Sequence, residues 1–262
     1  MDRRNFVKST WGAAIVGPAT LTDQFMENAK KTRQWYELRT YQFANDDQRQ
    51  LTSTYLEQAY LPALNRAGIH QVGIFSEHQP QNIARTYVLI PFESIEAFTG
   101  INDRLSHDPG YLQTGEAYLN AQPTSPAYQR IESSLLKAFT HMPQMEAPEK
   151  KDRLFELRCY ESPTESAGQK KIEMFNDAGE IDIFKKIGAR PVFFGETIIG
   201  DRRPNLTYLL CFDNMEGHDA RWKAFGSDPD WKKVSSIPEY SDARLISKIT
   251  RTFLSPASYS QV

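Results

Sequence analysis

Hydrophobic and polar positions predict strands and helices in alternation from Trp35 onward. The segment Trp35–Phe43 alternates apolar and polar side chains and is rich in Tyr, Leu and Thr, which is typical of a β-strand. From Leu51 the apolar positions recur with helical spacing until Gly68, which indicates an amphipathic helix that a glycine ends. Two short runs follow, 71–76 and 86–92, separated by a turn rich in Gln, Pro and Asn, and they predict two more strands.

A second helix and a fourth strand complete this pattern. Ser94 is a predicted N-cap for a helix with Ile95, Phe98, Ile101 and Leu105 on one face, and Asp108-Pro109 predicts one further helical turn. Leu135–Thr140 predicts the fourth strand. The order strand, helix, strand, strand, helix, strand is that of the ferredoxin-like split unit.

The same landmarks occur twice in the chain, at an offset of about 120 residues, which is the size of a whole domain rather than of a short repeat. The motif "YELRTY" at Tyr36 corresponds to "FELRCY" at Phe155. In the same way "YVLIPFES" at Tyr87 corresponds to "TYLLCFDN" at Thr207, and "DPGY" at Asp108 corresponds to "DPDW" at Asp228. The sequence therefore predicts a duplicated domain.

The predicted fold class is α+β, with two tandem ferredoxin-like (βαββαβ) domains that pair as a dimeric α+β-barrel-type unit within one chain. A ferredoxin-like sheet carries helices on one face only, so two such sheets can cover each other's open faces. The predicted boundaries are a signal segment at 1–30, a first domain at 34–141, a linker at 142–152 and a second domain at 153–256.

These landmarks together resemble the NIPSNAP family, and the resemblance spans about Trp35 to Leu254 in both repeats. The residues that carry it are "YELRTY", the helix ending at Gly68, the "VGIF" strand and the "DPGY" or "DPDW" turns. The resemblance implies the dimeric α+β-barrel fold. It implies no catalytic residues, and haem enters only by analogy with other proteins of that fold. No cofactor is expected.

The first residues resemble a twin-arginine export signal. Arg3 and Arg4 are followed by Phe6 and Lys8, and an uncharged stretch comes next, so we expect a periplasmic or exported protein. A frayed basic tail is the alternative interpretation.

Composition narrows the expected partners. The net charge is −2, with 31 basic and 33 acidic residues well mixed, so nucleic acid is not an expected partner. No run is apolar enough for a transmembrane helix, and no membrane contact is expected apart from export. A small-molecule ligand and a homo-oligomer both remain open.

Polar side chains on one face of the first strand of each repeat are the candidate site. We expect the apolar face of that strand to meet the helices, and the polar face to look into the barrel. In one interpretation Glu37 pairs with Arg39, and Glu156 pairs with Arg158, so that their charges neutralise each other. In the other interpretation, Arg39 or Arg158 binds an acidic ligand. The ligand-binding candidates are Arg39, Arg158, Glu37, Glu156, Tyr41, Tyr160 and His70.

Other chemical signals are weak. The five histidines show no metal-ligand spacing, so no metal is expected, and phosphate-loop, nucleophile-elbow and CxxC motifs are missing. Cys159 and Cys211 are predicted to be two buried free thiols, with one disulfide as the alternative. Three functions stay open: an exported small-molecule binder, a cofactor-free oxygenase or isomerase, and an interaction module with a filled barrel.

Overall fold

The structure is a computed structural model that describes residues 32–151 and 153–262. The proposed export signal lies outside this range. In the first repeat the elements are β1 (Trp35–Gln42), α1 (Asp46–Tyr55), a π-helical turn (Leu56–Tyr60), α2 (Leu61–Arg66), β2 (Gly73–Glu77), β3 (Thr86–Phe92), α3 (Ile95–Ser106), α4 (Pro109–Thr114), α5 (Glu116–Leu119) and β4 (Arg130–Ala138). The predicted order is confirmed, although β4 begins earlier than expected.

The second repeat follows the same order. Its elements are β5 (Leu154–Glu161), α6 (Glu165–Asn176), α7 (Glu180–Lys186), β6 (Arg190–Ile199), β7 (Asn205–Phe212), α8 (Met215–Ser227), α9 (Pro229–Ser235), a 3-10 turn (Pro238–Tyr240), α10 (Asp242–Leu245) and β8 (Lys248–Pro256). No helix among the described residues has the length and apolarity needed to cross a membrane.

Local sequence sets where the helices begin and end. Ser94 accepts a hydrogen bond from the backbone N–H of Ala97 and so caps α3, as Asp108 caps α4 at the Pro-initiated turn. Gly68 and Gly188 end the first helical segment of each repeat with φ of +83° and +77°, a conformation that side chains with a Cβ rarely adopt.

The eight strands form one closed antiparallel barrel in the order β1-β3-β2-β8-β5-β7-β6-β4. Each repeat contributes four neighbouring strands, and the seams between repeats are β2 with β8, where Phe75 pairs with Pro256, and β4 with β6, where Leu135 pairs with Ile199. Closure leaves no free strand edge in this barrel. The two sheets cover each other's open faces, as the sequence predicted.

The two repeats are related by an approximate twofold axis that runs along the barrel. Because every neighbouring pair is antiparallel, β1 and β5 run in the same direction four places apart. Equivalent residues of the two repeats therefore lie at the same end of the barrel.

The apolar core has three parts: the barrel interior, and one helix-covered layer on the outer side of each sheet. One end of the barrel is filled by large side chains from all sides, including Tyr36, Phe75, Phe155 and Phe193. The tail after Pro256 also packs there, and Val262 is wholly buried.

Candidate ligand-binding cavity

The other end of the barrel is open and holds a cavity of about 590 Å³. Leu38, Leu136 and Leu157 form its apolar floor, next to the filled end. The cavity lies where β1 and β5 end, since Thr40 and Cys159 follow Leu38 and Leu157 along the inward faces of those strands.

Short polar side chains cover the walls above this floor. The short hydroxyl side chains and the one thiol come from both repeats: Thr40, Ser133, Ser134, Cys159, Thr197, Thr207, Thr250 and Thr252. The wall can therefore exchange hydrogen bonds with a ligand, and the charged side chains that also line the cavity are Arg85, Glu132, Asp201 and Arg202.

Charged residues surround the mouth. Arg85 donates from Nε to Glu77 at 2.7 Å, so that cation is already paired. Arg202 lies on the β6–β7 loop with about half of its side chain exposed, and its nearest carboxylate oxygen, in Glu161, is 3.7 Å away.

The two repeats differ at one position that shapes the cavity. Tyr87 of β3 and Thr207 of β7 are equivalent and both line the cavity. The large phenol lies on one side of the cavity and the small threonine on the other, and residues of both repeats line the free volume.

Two titratable groups on the wall, Tyr87 and Cys159, hold their protons. Burial raises the pKa of Tyr87 to about 12, and its hydroxyl lies 3.5 Å from Oε1 of Glu77. Burial also raises the pKa of the Cys159 thiol, and a hydrogen bond with Thr207 opposes that shift in part. At neutral pH both groups are proton donors rather than bases.

The predicted orientation of the Glu/Arg/Tyr rows is wrong. These residues share one face of their strands as expected, but that face meets the helices, and the apolar Tyr36/Leu38 face lines the barrel. The physical reason is that helices or the opposite sheet cover both faces, so polarity alone does not mark the inner one.

In the first repeat, Glu37 and Arg39 form an ion pair beneath α1 and the π-helical turn. Nε of Arg39 donates to Oε1 of Glu37 at 2.6 Å, and Oγ of Ser133 donates to the same oxygen at 2.7 Å. The Arg39 guanidinium lies 5.2 Å from the ring centre of Tyr60. Tyr41 is buried in the same layer.

In the second repeat, Glu156 and Arg158 form the equivalent pair beneath α8. Nη1 of Arg158 donates to Oε1 of Glu156 at 3.0 Å, and Nε1 of Trp222 donates to Oε2 at 2.9 Å. His218 lies 3.3 Å from that second oxygen. Tyr160 is buried nearby and accepts a hydrogen bond from Tyr208 at 2.9 Å.

His70 does not reach the barrel cavity. It is exposed in the loop after α2 and lines a separate surface depression with Gln71, Pro91 and Glu93. None of the seven sequence-derived candidates lines the open end of the barrel, and no finding tests whether they bind a ligand.

Sequence reasoning also missed a buried ion pair in the second repeat. Nζ of Lys171 lies 3.4 Å from Oε2 of Glu180, and both side chains are almost completely buried. Lys171 occupies a position that helical periodicity alone assigns to a polar surface, and only the packing of α7 and α10 buries it. The shared location of Lys171, Glu180 and three aromatic rings indicates a structural role.

Both cysteines are free thiols, as predicted, although Cys159 is only partly buried. Among the described residues no group of three or more His, Cys, Asp or Glu side chains could hold a metal ion. The cavity does not fit a haem, because the side chains that line it include no histidine, and the raised pKa values of Cys159 and Tyr87 disfavour a thiolate or a tyrosinate ligand.

Fold and cavity together define a tandem α+β-barrel protein. The NIPSNAP family model matches the chain twice, at residues 36–142 and 155–261. The chain belongs to the NIPSNAP family. Among the curated proteins no significant match was found.

Several solved structures share the whole two-repeat fold. A candidate monooxygenase from Fusobacterium nucleatum is 10% identical, with a TM-score of 0.57 over 86% of this chain and 93% of that one. A candidate monooxygenase from Lactobacillus acidophilus is 11% identical, with a TM-score of 0.55 over 86% and 94%. An anthrone oxidase-like protein is 9% identical, with a TM-score of 0.52 over 87% and 93%. At these identities the likeness shows the fold alone.

Proposed function

We propose that this NIPSNAP protein binds a small molecule in the cavity at the open end of its barrel. The observation that carries the proposal is the contrast between the two ends. Aromatic side chains and the C-terminal tail fill one end, whereas short hydroxyl and thiol side chains leave about 590 Å³ at the other. That volume lies within the range of ligand sites, roughly 300–1,000 Å³.

The lining favours an amphipathic ligand. Its apolar or aromatic body would rest on Leu38, Leu136 and Leu157, and its oxygen atoms would exchange hydrogen bonds with the threonine hydroxyls of the wall. Arg202 at the mouth would receive an acidic group, because its nearest carboxylate contact is long and its guanidinium fork fits an anion.

A cofactor-free oxygenase or isomerase is the second candidate. The descriptions of the structural neighbours favour it, although they concern those proteins. Such reactions start with removal of a proton, and Tyr87 and Cys159 both hold their protons at neutral pH. Glu132 and Asp201 also line the cavity, so the role of base in such a reaction would fall to one of these carboxylates.

An interaction module with a filled barrel is the third reading. The packed end fits that reading and the open end does not. Native mass spectrometry, which tests for a bound ligand, also measures the oligomeric state that this interpretation concerns.

The test is native mass spectrometry of the protein purified from its host, in parallel with a Thr207→Tyr variant. This substitution gives the second repeat the tyrosine that the first has at Tyr87, and it adds a large side chain to the cavity wall. We expect a co-purified or added amphipathic acid on the natural chain and little on the variant. The control, Thr99→Tyr, adds the same side chain at a position on the outer surface of α3. Equal ligand occupancy in all three proteins would overturn the proposal.

We also propose that residues 1–30 direct export by the twin-arginine route. The support is the pattern Arg3, Arg4, Phe6 and Lys8 in the sequence.

A further inference from the structure

A second cleft lies on the outer surface of the barrel, where the two repeats meet at the β2–β8 seam. Its volume is about 370 Å³, within the range of ligand sites, roughly 300–1,000 Å³. The first repeat contributes His78, which follows β2 and whose backbone N–H donates to the carbonyl of Phe253 in β8 at 2.8 Å. The rest of this seam cleft comes from the second repeat and includes Lys151, Arg153, Asp213, Met215 and Pro256.

Positive charge is in excess at the seam cleft. Nζ of Lys151 lies 3.1 Å from Oδ1 of Asp213, and Nη1 of Arg190 donates to the same oxygen at 3.0 Å. These contacts hold the pKa of Asp213 below its ordinary value, so the carboxylate is ionised. Arg153 is a third cation. Among the described residues that line the cleft or pair with its carboxylate, three cations therefore face one anion, and a doubly charged ligand would balance the excess.

Arg153 and His78 both have donor atoms that the protein leaves free. Within the described part of the chain, the guanidinium of Arg153 donates from Nη1 to the carbonyl of Pro148 at 3.3 Å, and its Nη2 has no protein partner and reaches solvent. Nδ1 of His78 lies 2.9 Å from Oγ of Ser255, and Nε2 carries the ring proton when that hydroxyl donates. Ser255 faces away from the barrel interior, because it follows the inward-facing Leu254.

The first repeat lacks this arrangement. Gln34 stands where the second repeat has Arg153, and Glu93 stands where it has Asp213. Nε2 of Gln34 donates to Oε1 of Glu93 at 2.7 Å, so a neutral amide satisfies the carboxylate there. In the second repeat other cations hold the carboxylate, and the guanidinium of Arg153 remains available. The fold itself therefore does not require an arginine at this position.

We propose that the seam cleft binds a phosphate monoester. The phosphoryl oxygens accept from Nη2 of Arg153, Nζ of Lys151 and Nε2 of His78, and the organic part of the ester rests on Met215 and Pro256. Met215 is 39% exposed, so its side chain can contact a ligand. A phosphate monoester carries a charge of about −1.5 to −2 at neutral pH, which fits the excess of two, and guanidinium and ammonium groups both bind phosphate. This site is separate from the barrel cavity.

The test is calorimetric titration of the full chain with phenyl phosphate, inorganic phosphate and benzoate. We expect phenyl phosphate to bind at least about tenfold more tightly than benzoate, which has one charge and two acceptor oxygens. Arg153→Gln, which introduces the residue of the first repeat, should weaken phenyl phosphate binding by at least about tenfold. The matched control, Arg244→Gln, removes an exposed arginine of α10 and should leave the affinity unchanged.

Two further variants keep the test decisive. Lys151→Gln changes a side chain that is 47% exposed and leaves Asp213 paired with Arg190, so it should fold and bind phenyl phosphate about fivefold more weakly. Arg202→Gln removes the arginine at the barrel mouth and should leave phenyl phosphate binding unchanged.

The proposal is overturned if phenyl phosphate does not bind, if benzoate binds equally well, or if Arg153→Gln and Lys151→Gln both keep the full affinity. Loss of binding in Arg202→Gln alone would place the anion in the barrel and would also overturn it. Inorganic phosphate should bind more weakly than the ester, because it has no organic part to contact Met215. Equal affinity for the two would contradict the assignment of a monoester.

Discussion

The indole Nε1 of Trp222 donates a 2.9 Å hydrogen bond to the buried carboxylate of Glu156. This contact joins α8 to β5, and it closes the helix layer of the second repeat over an ion pair that Glu156 forms with Arg158. The first repeat has no counterpart of the indole, because Asn102 occupies that position.

We expect Trp222→Phe to lower the free energy of unfolding by about 1.5–3 kcal/mol, because it leaves a buried charged acceptor without its donor. Urea denaturation followed by circular dichroism measures the effect. Trp231→Phe is the matched control, since it trims the same ring and its Nε1 donates no hydrogen bond among the described residues. Equal losses in the two variants would show that ring packing, and not the hydrogen bond, accounts for the change.

The two cysteines should react at very different rates in the native protein. Cys159 lines the open cavity, and Cys211 is wholly buried. Iodoacetamide followed by peptide mass spectrometry should label Cys159 alone. Its rate should rise with pH well beyond neutrality, because burial raises its pKa and the thiolate is the reactive form.

A Cys159→Ser variant should then show almost no labelling before unfolding, and a ligand in the cavity should protect Cys159 in the natural chain. Labelling of Cys211 at a similar rate would contradict the closed packing of the other end of the barrel.

Alkaline pH should destabilise the fold through buried phenols. The pKa of Tyr87 is about 12 in the folded chain, against an ordinary 10.0. Its contribution to stability is therefore fully present below pH 10 and is lost as the pH rises through 12. Unfolding free energies measured between pH 8 and pH 12 should fall less steeply in Tyr87→Phe than in the natural chain. Parallel curves would contradict this assignment.

Export should depend on the paired arginines. Replacement of Arg3 and Arg4 by lysine should retain the protein in the cytoplasm, because the twin-arginine pathway reads the guanidinium pair and not charge alone. Cell fractionation with immunoblotting measures the distribution, and Lys8→Ala is a milder comparison. Unchanged export of the double variant would rule out this signal.

The order of elements was readable from the sequence because it depends on local chemistry. The periodicity of apolar residues located β1 and the helix that ends at Gly68. The similarity between "YELRTY" and "FELRCY" revealed the duplication. Duplication in turn predicted closure, since two sheets that each lack a second helix layer can cover each other.

The candidate site was only partly readable. Alternation placed Glu37, Arg39 and Tyr41 on one face, and they do share it. The cavity residues Thr207 and Thr252 carried no signal, because a threonine in a strand is ordinary. The comparison of Tyr87 with Thr207 across the repeats was the available clue that side-chain size differs between the two sides of the cavity.

The sequence by itself determined which residues share a face, since side chains in a strand alternate with a period of two. Tertiary structure alone decided which face looks inward. Both faces of each sheet are covered, one by helices and one by the other sheet, so an apolar or polar row is compatible with either side. Packing determines which face looks inward. Aromatic rings from four strands fill one end of the barrel, and the Glu–Arg ion pairs of β1 and β5 lie on the other face of the sheet, against the helices.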